Sequence, residues 1–471
     1  MGSTRKTSRT TKAKSHRQRL STARQLAATL CLGTLVGMIA LSAASCETVR
    51  GTLGMNDAAS PATLKAEPEI RVRVKKAAAS TVIDGPSRVA LRELGGTTVV
   101  LAATPVTFTS STQGVIASSG DGKQTRFIPG RDVEVVPRDM SESERSATTV
   151  YRPGDSVVVD GTSYAGYLRV APRWSEGAGT FDIISIKPIE TYLPGVLSKE
   201  LYTNWPLQAY EAQAVAARSY ALHERDRART AGKPFDVEAS ELDQAYGGGV
   251  GLNVAIEATR TTRGLVLTNP GGEGGPLLRA YFSSCCGGHP ASAADVWPTG
   301  NGFEFNRARP LQATQREWYC TSAPRYRWEV TRTDEDLSKR LRAWGKDAGK
   351  KVKTITRLRG VEVATRGAGN RPATYTLTDV SGNTYELSAE ELRVACNFPY
   401  EGSPAITKDN RVFSGDLEMQ FFGSQVRVYG KGFGHGVGMC QYCAKGMAER
   451  GMDYSTMLKL FYPGAGVKKL Y

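Results

Sequence analysis

A glutamate near the middle of the chain stands where its neighbours could make it an acid catalyst. Glu200 lies in "TYLPGVLSKELYTNWPLQAY", with Leu201, Tyr202 and Trp205 close behind it. An apolar shell raises the pKa of a carboxyl group and makes it a proton donor near neutral pH. We therefore expect Glu200 to act as a general acid, and the ordinary alternative is a solvated surface carboxylate.

A guanidinium follows in the next segment. Arg218 lies in "AQAVAARSYAL" and could bind hydroxyl groups, an anionic group or Glu200 itself. The structural alternative is a salt bridge with Glu211 or Glu224.

Cysteines form a second set of candidates. Setting aside Cys31 and Cys46 near the N-terminus leaves six, namely Cys285, Cys286, Cys320, Cys396, Cys440 and Cys443. In "SSCCGGHPAS", Cys286 and His289 have a spacing that suits two zinc ligands, and Cys320 or the Cys440/Cys443 pair could complete four. In an oxidising compartment, however, disulfides are the ordinary expectation for six cysteines. Cys–His nucleophilic catalysis is a third alternative, for which no orienting Asn or Asp can be assigned.

The glycine-rich stretch "GKGFGHGVGMCQYCAKGMAERG" (Gly430–Gly451) carries the last histidine and a C-x-x-C. It is not a phosphate loop, because no Lys-Ser/Thr follows its glycines. A redox C-x-x-C should follow a strand, and this one follows a glycine loop. We expect His435, Gln441 and Tyr442 to line a ligand cleft, with glycines that let the backbone come close to the ligand. A buried His435 that holds the glycine turn is the alternative.

The surrounding patterns predict an α+β protein. Short β-branched runs such as "IRVRVKK" and "FDIISIKPI" predict a β-rich region over 68–190. A helix is predicted from Pro206 to Arg227, within a mixed helix/strand region over 191–471. Inside that region, 330–425 is predicted to be a β-rich subdomain with a hairpin across Ser381-Gly382.

The N-terminus predicts export. Residues 1–25 carry eight Lys/Arg and no acidic residue, and no charge occurs between Arg24 and Glu47. Residues 1–45 therefore read as a signal peptide or membrane anchor, with Cys46 a lipidation candidate and 46–67 a linker. The net charge of +15 falls to +7 without these eight. We therefore expect no nucleic-acid partner, and expect a membrane contact through the N-terminal segment.

Four motifs in order resemble the stage II sporulation protein D / amidase enhancer (LytB) family. They are "YLPGVLSKEL…WPLQAYEAQAVAARSYAL", "DQAYGG", "YFSSCCGGHPASAADVW" and "GKGFGHGVGMCQYCAKGMAERG…LKLFYPG". The chain departs from the family where "MSQYGA" is expected, because it reads "MCQYCA". Some family members bear zinc near the glycine pair of the third motif and others have no such ligands. The resemblance therefore requires no cofactor and leaves a structural zinc open.

The resemblance implies a peptidoglycan lytic transglycosylase acting on glycan strands stripped of their peptides, or an enhancer of a cell-wall amidase. Glu200 matches the catalytic glutamate and Arg218 the functionally important arginine. Glu200 would protonate the glycosidic oxygen and then accept the muramic C6-hydroxyl proton, which leaves a 1,6-anhydro sugar. A hydrolytic variant needs a second carboxylate, for which Asp243 is the best candidate. The alternative is that Asp243, Gln244 and Tyr246 orient the sugar or brace the cleft. The implied location is the cell envelope, outside the cytoplasm.

Overall fold

The computed structural model describes residues 66–471, apart from 112–113, 149, 174–178, 241–242, 250, 271–274 and 315–316. The predicted leader, the lipidation candidate Cys46 and nearly all of the predicted linker lie outside the described residues. Among the residues described, none of the helices is long and apolar enough to cross a bilayer.

The β-rich region consists of two sheets that share one apolar core. Its elements are β1 (Glu69–Ala78), β2 (Ser80–Asp84), β3 (Arg88–Glu93), β4 (Val99–Ala103), β5 (Val106–Ser111), β6 (Gly114–Ser118), β7 (Gln124–Arg126), β8 (Val133–Val136), α1 (Glu142–Arg145), β9 (Ser156–Val159), β10 (Thr162–Ala165), β11 (Tyr167–Pro172) and β12 (Phe181–Pro188). One sheet has the order β10-β9-β2-β5-β6-β7, and β1, β12, β11, β8, β3 and β4 follow each other in the second. Ile70, Phe108 and Phe181 meet in the core between them.

Strand β12 leads directly to the candidate acid. It pairs antiparallel with β1 on one side and β11 on the other, and every residue from 181 to 187 is buried. A strand buried on both faces is rich in apolar residues, as "FDIISI" is. Three buried polar residues interrupt it, Asp182, Ser185 and Lys187, and the Lys187 Nζ donates a hydrogen bond of 2.5 Å to the Tyr246 hydroxyl. Burial lowers the pKa of Lys187 to about 7.

Three helices follow, with a short strand between the second and third. They are α2 (Ile189–Glu200), α3 (Leu207–Thr230), β13 (Val237–Glu238) and α4 (Asn253–Thr261). β13 adds to the edge of the second sheet by pairing parallel with β1. The helix predicted from Pro206 is confirmed as α3, which runs one turn further than expected. Ala209, Ala212 and Ala216 are buried on it, and such small side chains let neighbouring helices pack closely.

The predicted subdomain is built on two three-stranded sheets. Its elements are β16 (Arg327–Thr333), α6 (Asp334–Asp347), a 3-10 turn (Lys351–Thr354), β17 (Leu358–Arg366), β18 (Pro372–Asp379), β19 (Thr384–Ser388), α7 (Ala389–Asn397), β20 (Leu417–Phe422) and β21 (Gln425–Lys431). The sheet orders are β16-β21-β20 and β17-β18-β19, with a core of their own around Leu341, Tyr375 and Val428. The hairpin across Ser381-Gly382 is confirmed, because Thr378 of β18 pairs with Thr384 of β19.

Short elements on either side of the subdomain complete the fold. Before it come β14 (Leu265–Thr268), β15 (Phe282–Ser283), α5 (Ala293–Val296) and the 3-10 turns Glu304–Arg307 and Arg309–Leu311; after it come β22 (Met439–Cys440), α8 (Gln441–Ala448), α9 (Tyr454–Phe461) and β23 (Gly466–Lys469). β15 pairs parallel with β22, and β14 antiparallel with β23. These pairings place the C-terminal segment next to α3. The α+β class with a β-rich N-terminal region is thus confirmed.

Candidate active site

Glu200 is the last residue of α2, and protein donors hold both oxygens of its carboxylate. The Ala245 backbone N–H donates to Oε1 at 2.9 Å, and the Gln441 side-chain Nε2 donates to Oε2 at 3.0 Å. The side chain is half-buried. Its carboxylate is therefore oriented by two segments that follow it by 45 and 241 residues.

Three aromatic rings, which follow Glu200 and Gln441 closely in the chain, pack together. Tyr202 is 61% exposed, and its ring centroid lies 5.7 Å from Trp205 and 6.5 Å from Tyr442. Trp205 and Tyr442 pack edge to face at 4.9 Å. An exposed ring supported by two others can stack on an apolar ligand face while its hydroxyl stays in water. The sequence places Tyr202 in the apolar shell of Glu200, and its position two residues after Glu200 is the signal for a binding role.

The "DQAYGG" loop points its predicted side chains into the protein. Tyr192 hydroxyl donates to Gln244 Oε1 at 3.1 Å, and Gln244 Nε2 donates to the Ala217 carbonyl at 3.1 Å. Tyr246 accepts from Lys187, as described above, and is 6% exposed. These anchors leave the intervening Ala245 N–H directed at Glu200. The loop thus braces Glu200 through the backbone N–H of Ala245. This agrees with the alternative in which the loop residues brace the cleft.

Asp243 has partners for both of its oxygens. Tyr220 hydroxyl donates to Oδ1 at 2.9 Å, and the Glu238 backbone N–H donates to Oδ2 at 2.9 Å. Burial raises the pKa of the carboxyl group. Asp243 therefore ties the loop to β13 and α3, an arrangement that suits a brace better than a nucleophile or base.

Gly195 lets this loop reach α2. A Cβ at this position would lie 2.6 Å from the Tyr246 ring and 3.0 Å from the Gly248 carbonyl oxygen. Contacts this short force the ring or the loop backbone to move. The glycine of "YLPGVL" is thus required by packing behind the acid.

Arg218 is fully buried and braces the other end of α2. Its Nε and Nη2 donate to the two carboxylate oxygens of Glu190 at 3.0 and 2.8 Å, and Nη1 donates to the Leu265 carbonyl at 3.1 Å. The side chain is 0% exposed. The predicted contact with substrate is therefore corrected. The arginine binds a carboxylate in the first turn of α2, a partner that the sequence alternatives did not include.

The glycine-rich stretch interlocks with the segment around β15. Gly432, Gly434, Gly436 and Gly438 all have positive φ, between 70° and 93° for the whole set. A Cβ on Gly432 would lie 2.4 Å from the Cys285 carbonyl oxygen, and one on Gly438 would lie 2.1 Å from that of Tyr281. Gly432 and Gly438 therefore admit protein backbone, whereas Gly434 and Gly436 face the side chains of Ser283 and Arg371. The close approach that the glycines were expected to offer a ligand is made here by the protein itself.

His435 is held within the same loop. Its Nδ1 accepts a hydrogen bond from the Val437 backbone N–H at 3.0 Å, and its ring lies 4.8 Å from Trp297. Burial lowers the pKa of His435 to about 4, so the ring is neutral at pH 7. This is the arrangement of a histidine that holds the glycine turn.

Residues 177–269 match the family described as Stage II sporulation protein (SpoIID), and this stretch includes Glu200, Arg218 and the "DQAYGG" loop. The resemblance to the stage II sporulation protein D / amidase enhancer family is thus confirmed over this stretch. Residues 306–438 match a second family, described as Domain of unknown function (DUF8618), which covers the β-rich subdomain.

Three named proteins are similar to this chain over 58% to 68% of its length. An uncharacterized protein of Brachyspira hyodysenteriae is 28% identical over 320 residues, 68% of this chain and 76% of that protein. The amidase enhancer of Bacillus subtilis is 27% identical over 304 residues, 58% of this chain but only 39% of the enhancer. Stage II sporulation protein D of Bacillus amyloliquefaciens is 24% identical over 298 residues, 60% of this chain and 74% of that protein.

Beside the SpoIID site lies a group of four cysteines. All six cysteines in the described part of the chain are buried free thiols. The ligand atoms of Cys286, Cys320, Cys440 and Cys443 lie within 4.8 Å of one another. His289, predicted as a ligand beside Cys286, is outside this group, and its Nδ1 lies 2.8 Å from Asp416 Oδ2.

Proposed function

We propose that this chain is an exported cell-wall enzyme, a lytic transglycosylase that cleaves peptidoglycan glycan strands. The substrate is a strand stripped of its peptides, and cleavage between MurNAc and GlcNAc leaves 1,6-anhydro-MurNAc ends. The SpoIID match and the relatives named amidase enhancer and stage II sporulation protein D support a function in the cell wall. A wall substrate in turn requires work outside the cytoplasm.

Glu200 performs both proton transfers in this mechanism. As the acid it donates its proton to the glycosidic oxygen while the bond to C1 of MurNAc breaks. As the carboxylate it then accepts the proton of the C6 hydroxyl while that oxygen bonds to C1. The proton taken up in the second step restores the acid, so one carboxylate completes the cycle. Most glycosidases need two carboxylates because water must be activated separately.

One observation carries the proposal. The Glu200 carboxylate is held by Ala245 N–H and Gln441 Nε2, and Tyr202, two residues further along the chain, has an exposed ring. The two donors orient the carboxylate, and the ring offers a surface on which a sugar can stack. Asp243, which a two-carboxylate mechanism would need, links α3 to β13, because the Tyr220 hydroxyl and the Glu238 backbone N–H donate to its two oxygens. This position between two elements of the fold suits a brace, and it favours the one-carboxylate reaction.

The first prediction concerns Glu200→Gln in the full-length chain. Incubated with peptide-free glycan, the wild type should release fragments with 1,6-anhydro ends, detected by mass spectrometry. The variant should lose at least about 100-fold in rate, because an amide N–H is far too weak an acid to protonate the glycosidic oxygen. Glu257→Gln on the exposed face of α4 is the matched control and should keep wild-type activity. Normal turnover by Glu200→Gln would exclude this mechanism.

The name of one relative favours a second candidate, a non-catalytic wall-binding protein that enhances an N-acetylmuramoyl-L-alanine amidase. The wild type and Glu200→Gln distinguish it. If the chain is an enhancer, both forms should stimulate a cell-wall amidase on intact peptidoglycan equally well, and neither should release anhydro ends. The transglycosylase requires that the anhydro product disappear with the carboxylate.

A further inference from the structure

The four-cysteine group joins three segments that are distant in the chain. Cys286 follows β15, Cys320 lies in the turn before β16, and Cys440 and Cys443 bracket the start of α8. The four side chains are almost completely buried, between 0% and 2% exposed. Gly446 of α8 allows the second segment to approach, because a Cβ there would lie 2.2 Å from the Tyr319 carbonyl oxygen.

The distances between sulfur atoms suit a metal ion. Cys286 Sγ lies 3.6 Å from Cys320 Sγ and 3.9 Å from Cys443 Sγ. In a tetrahedral ZnS₄ centre with Zn–S bonds of about 2.3 Å, the sulfurs are about 3.8 Å apart. A disulfide would require about 2 Å. These two distances match edges of such a tetrahedron, and all four sulfurs lie within 4.8 Å of one another.

Backbone donors lie where thiolate charge would need them. Cys286 N–H and Cys443 N–H both donate to Cys440 Sγ, at 3.3 and 3.4 Å. The buried guanidinium of Arg371 donates to the Cys286 carbonyl at 3.2 Å. Four thiolates around Zn²⁺ carry a net charge of −2, and such outer contacts stabilise it.

We propose that Cys286, Cys320, Cys440 and Cys443 bind one zinc ion, which holds Gln441 against Glu200. Gln441 lies between two of these ligands, in the first residue of α8. Its Nε2 makes the 3.0 Å hydrogen bond to Glu200 Oε2. An ion bound by Cys440 and Cys443 anchors this helical turn on both sides of Gln441. The coupling to catalysis rests on the proposed function, whereas the metal site does not.

Metal content tests the site without any activity measurement. The full-length chain, purified under reducing conditions and gel filtered, should contain about one zinc per chain by plasma mass spectrometry. Cys320→Ser should lose it, and Cys396→Ser should keep it, since Cys396 is equally buried but lies in the subdomain core. Cobalt loaded in place of zinc should show thiolate-to-metal charge-transfer absorption. A wild type without zinc, or one with these cysteines in disulfides, overturns the site.

A measurement on the wild type covers the case in which Cys320→Ser does not fold. Titration of the native chain with a mercurial reagent should release its zinc as the four thiols react, with the release complete at about four reacted thiols per ion. Release that does not follow thiol modification would place the zinc elsewhere and overturn the site.

The coupling has its own readouts. If zinc positions Gln441, Cys320→Ser should lower kcat about 10- to 100-fold with little change in KM, and should alter the pH–rate profile as Gln441→Leu does. A zinc-free chain with wild-type kcat overturns the coupling.

If even the wild type cleaves no glycan, the proposed function fails and the coupling between zinc and Gln441 is measured by tryptophan fluorescence. Loss of zinc should then change the emission of Trp205, which packs on Tyr442, and a Trp205→Phe chain should lack that change.

Discussion

At the scale of single residues, the site depends on what each side chain faces. Glu200 is oriented by two donors, and Gln441 is 4% exposed while its amide reaches the carboxylate. Tyr202, by contrast, exposes most of its ring. Motif reading predicted Glu200, Gln441 and Tyr442 as site residues, because their types and order suggest acid, hydrogen-bond donor and ring. Their mutual contacts could not be read from sequence, since they cross about half of the chain.

Tyr202→Ala tests the stacking surface. If the ring contacts the sugar in the ground state and the transition state alike, KM for glycan should rise about 5-fold, equivalent to about 1 kcal/mol, with kcat unchanged. Steady-state kinetics on peptide-free glycan measures both constants. Phe422→Ala removes another exposed ring, 56% exposed on β20, and should leave KM as it is. An unchanged KM for Tyr202→Ala would remove Tyr202 from the binding surface.

At the scale of elements, α2 is held at both ends. Arg218 and Glu190 form a buried ion pair at its start. The Tyr471 hydroxyl donates to Glu190 Oε1, the oxygen that also accepts from Arg218 Nε, at 2.5 Å. The "DQAYGG" loop and α8 hold its other end through Glu200. Helix α3 was predictable because its pattern of helix formers is local. The role of Arg218 was not, because a guanidinium on that helix could choose among several carboxylates.

Arg218→Met distinguishes a brace from a substrate contact. Removing one partner of a buried ion pair leaves the other charge uncompensated, so the free energy of unfolding should fall by about 3 kcal/mol. Urea denaturation measures it. Arg260→Met, at an exposed pair with Glu257, is the control and should cost less than about 1 kcal/mol. If Arg218→Met instead keeps its stability and raises KM, the arginine contacts substrate.

At the scale of the whole molecule, the free energy of unfolding should depend on pH because of the buried Lys187. Lys187 is 0% exposed in the middle of the large sheet, and its pKa is about 7 in place of the usual 10.5. Between these values the unfolded chain binds more protons than the folded one. The stability of the fold therefore rises with pH over this window, and the cost of burying the charged form is greatest below pH 7.

The pH dependence of unfolding tests this assignment. Lys187 should contribute a slope of about 1.4 kcal/mol per pH unit between pH 7 and about 10. Lys187→Met should lack this contribution when denaturant unfolding is compared at about pH 7.5 and about pH 9.5. Lys346→Met, at an exposed position on α6, should keep the wild-type slope. Equal slopes in wild type and Lys187→Met would mean that Lys187 titrates normally in the fold.

The sequence by itself determined the fold class, the helix after Pro206, the hairpin at Ser381-Gly382 and the family motifs around Glu200. Periodicity, turn residues and motif order are expressed within a few residues, so they can be read without coordinates. The tertiary structure alone decided that Arg218 pairs with Glu190, that Gly432 admits the backbone of Cys285, and that four of the six cysteines in the described residues converge. Those outcomes depend on which distant segments pack together, and burial then selects one partner among several of the right chemistry.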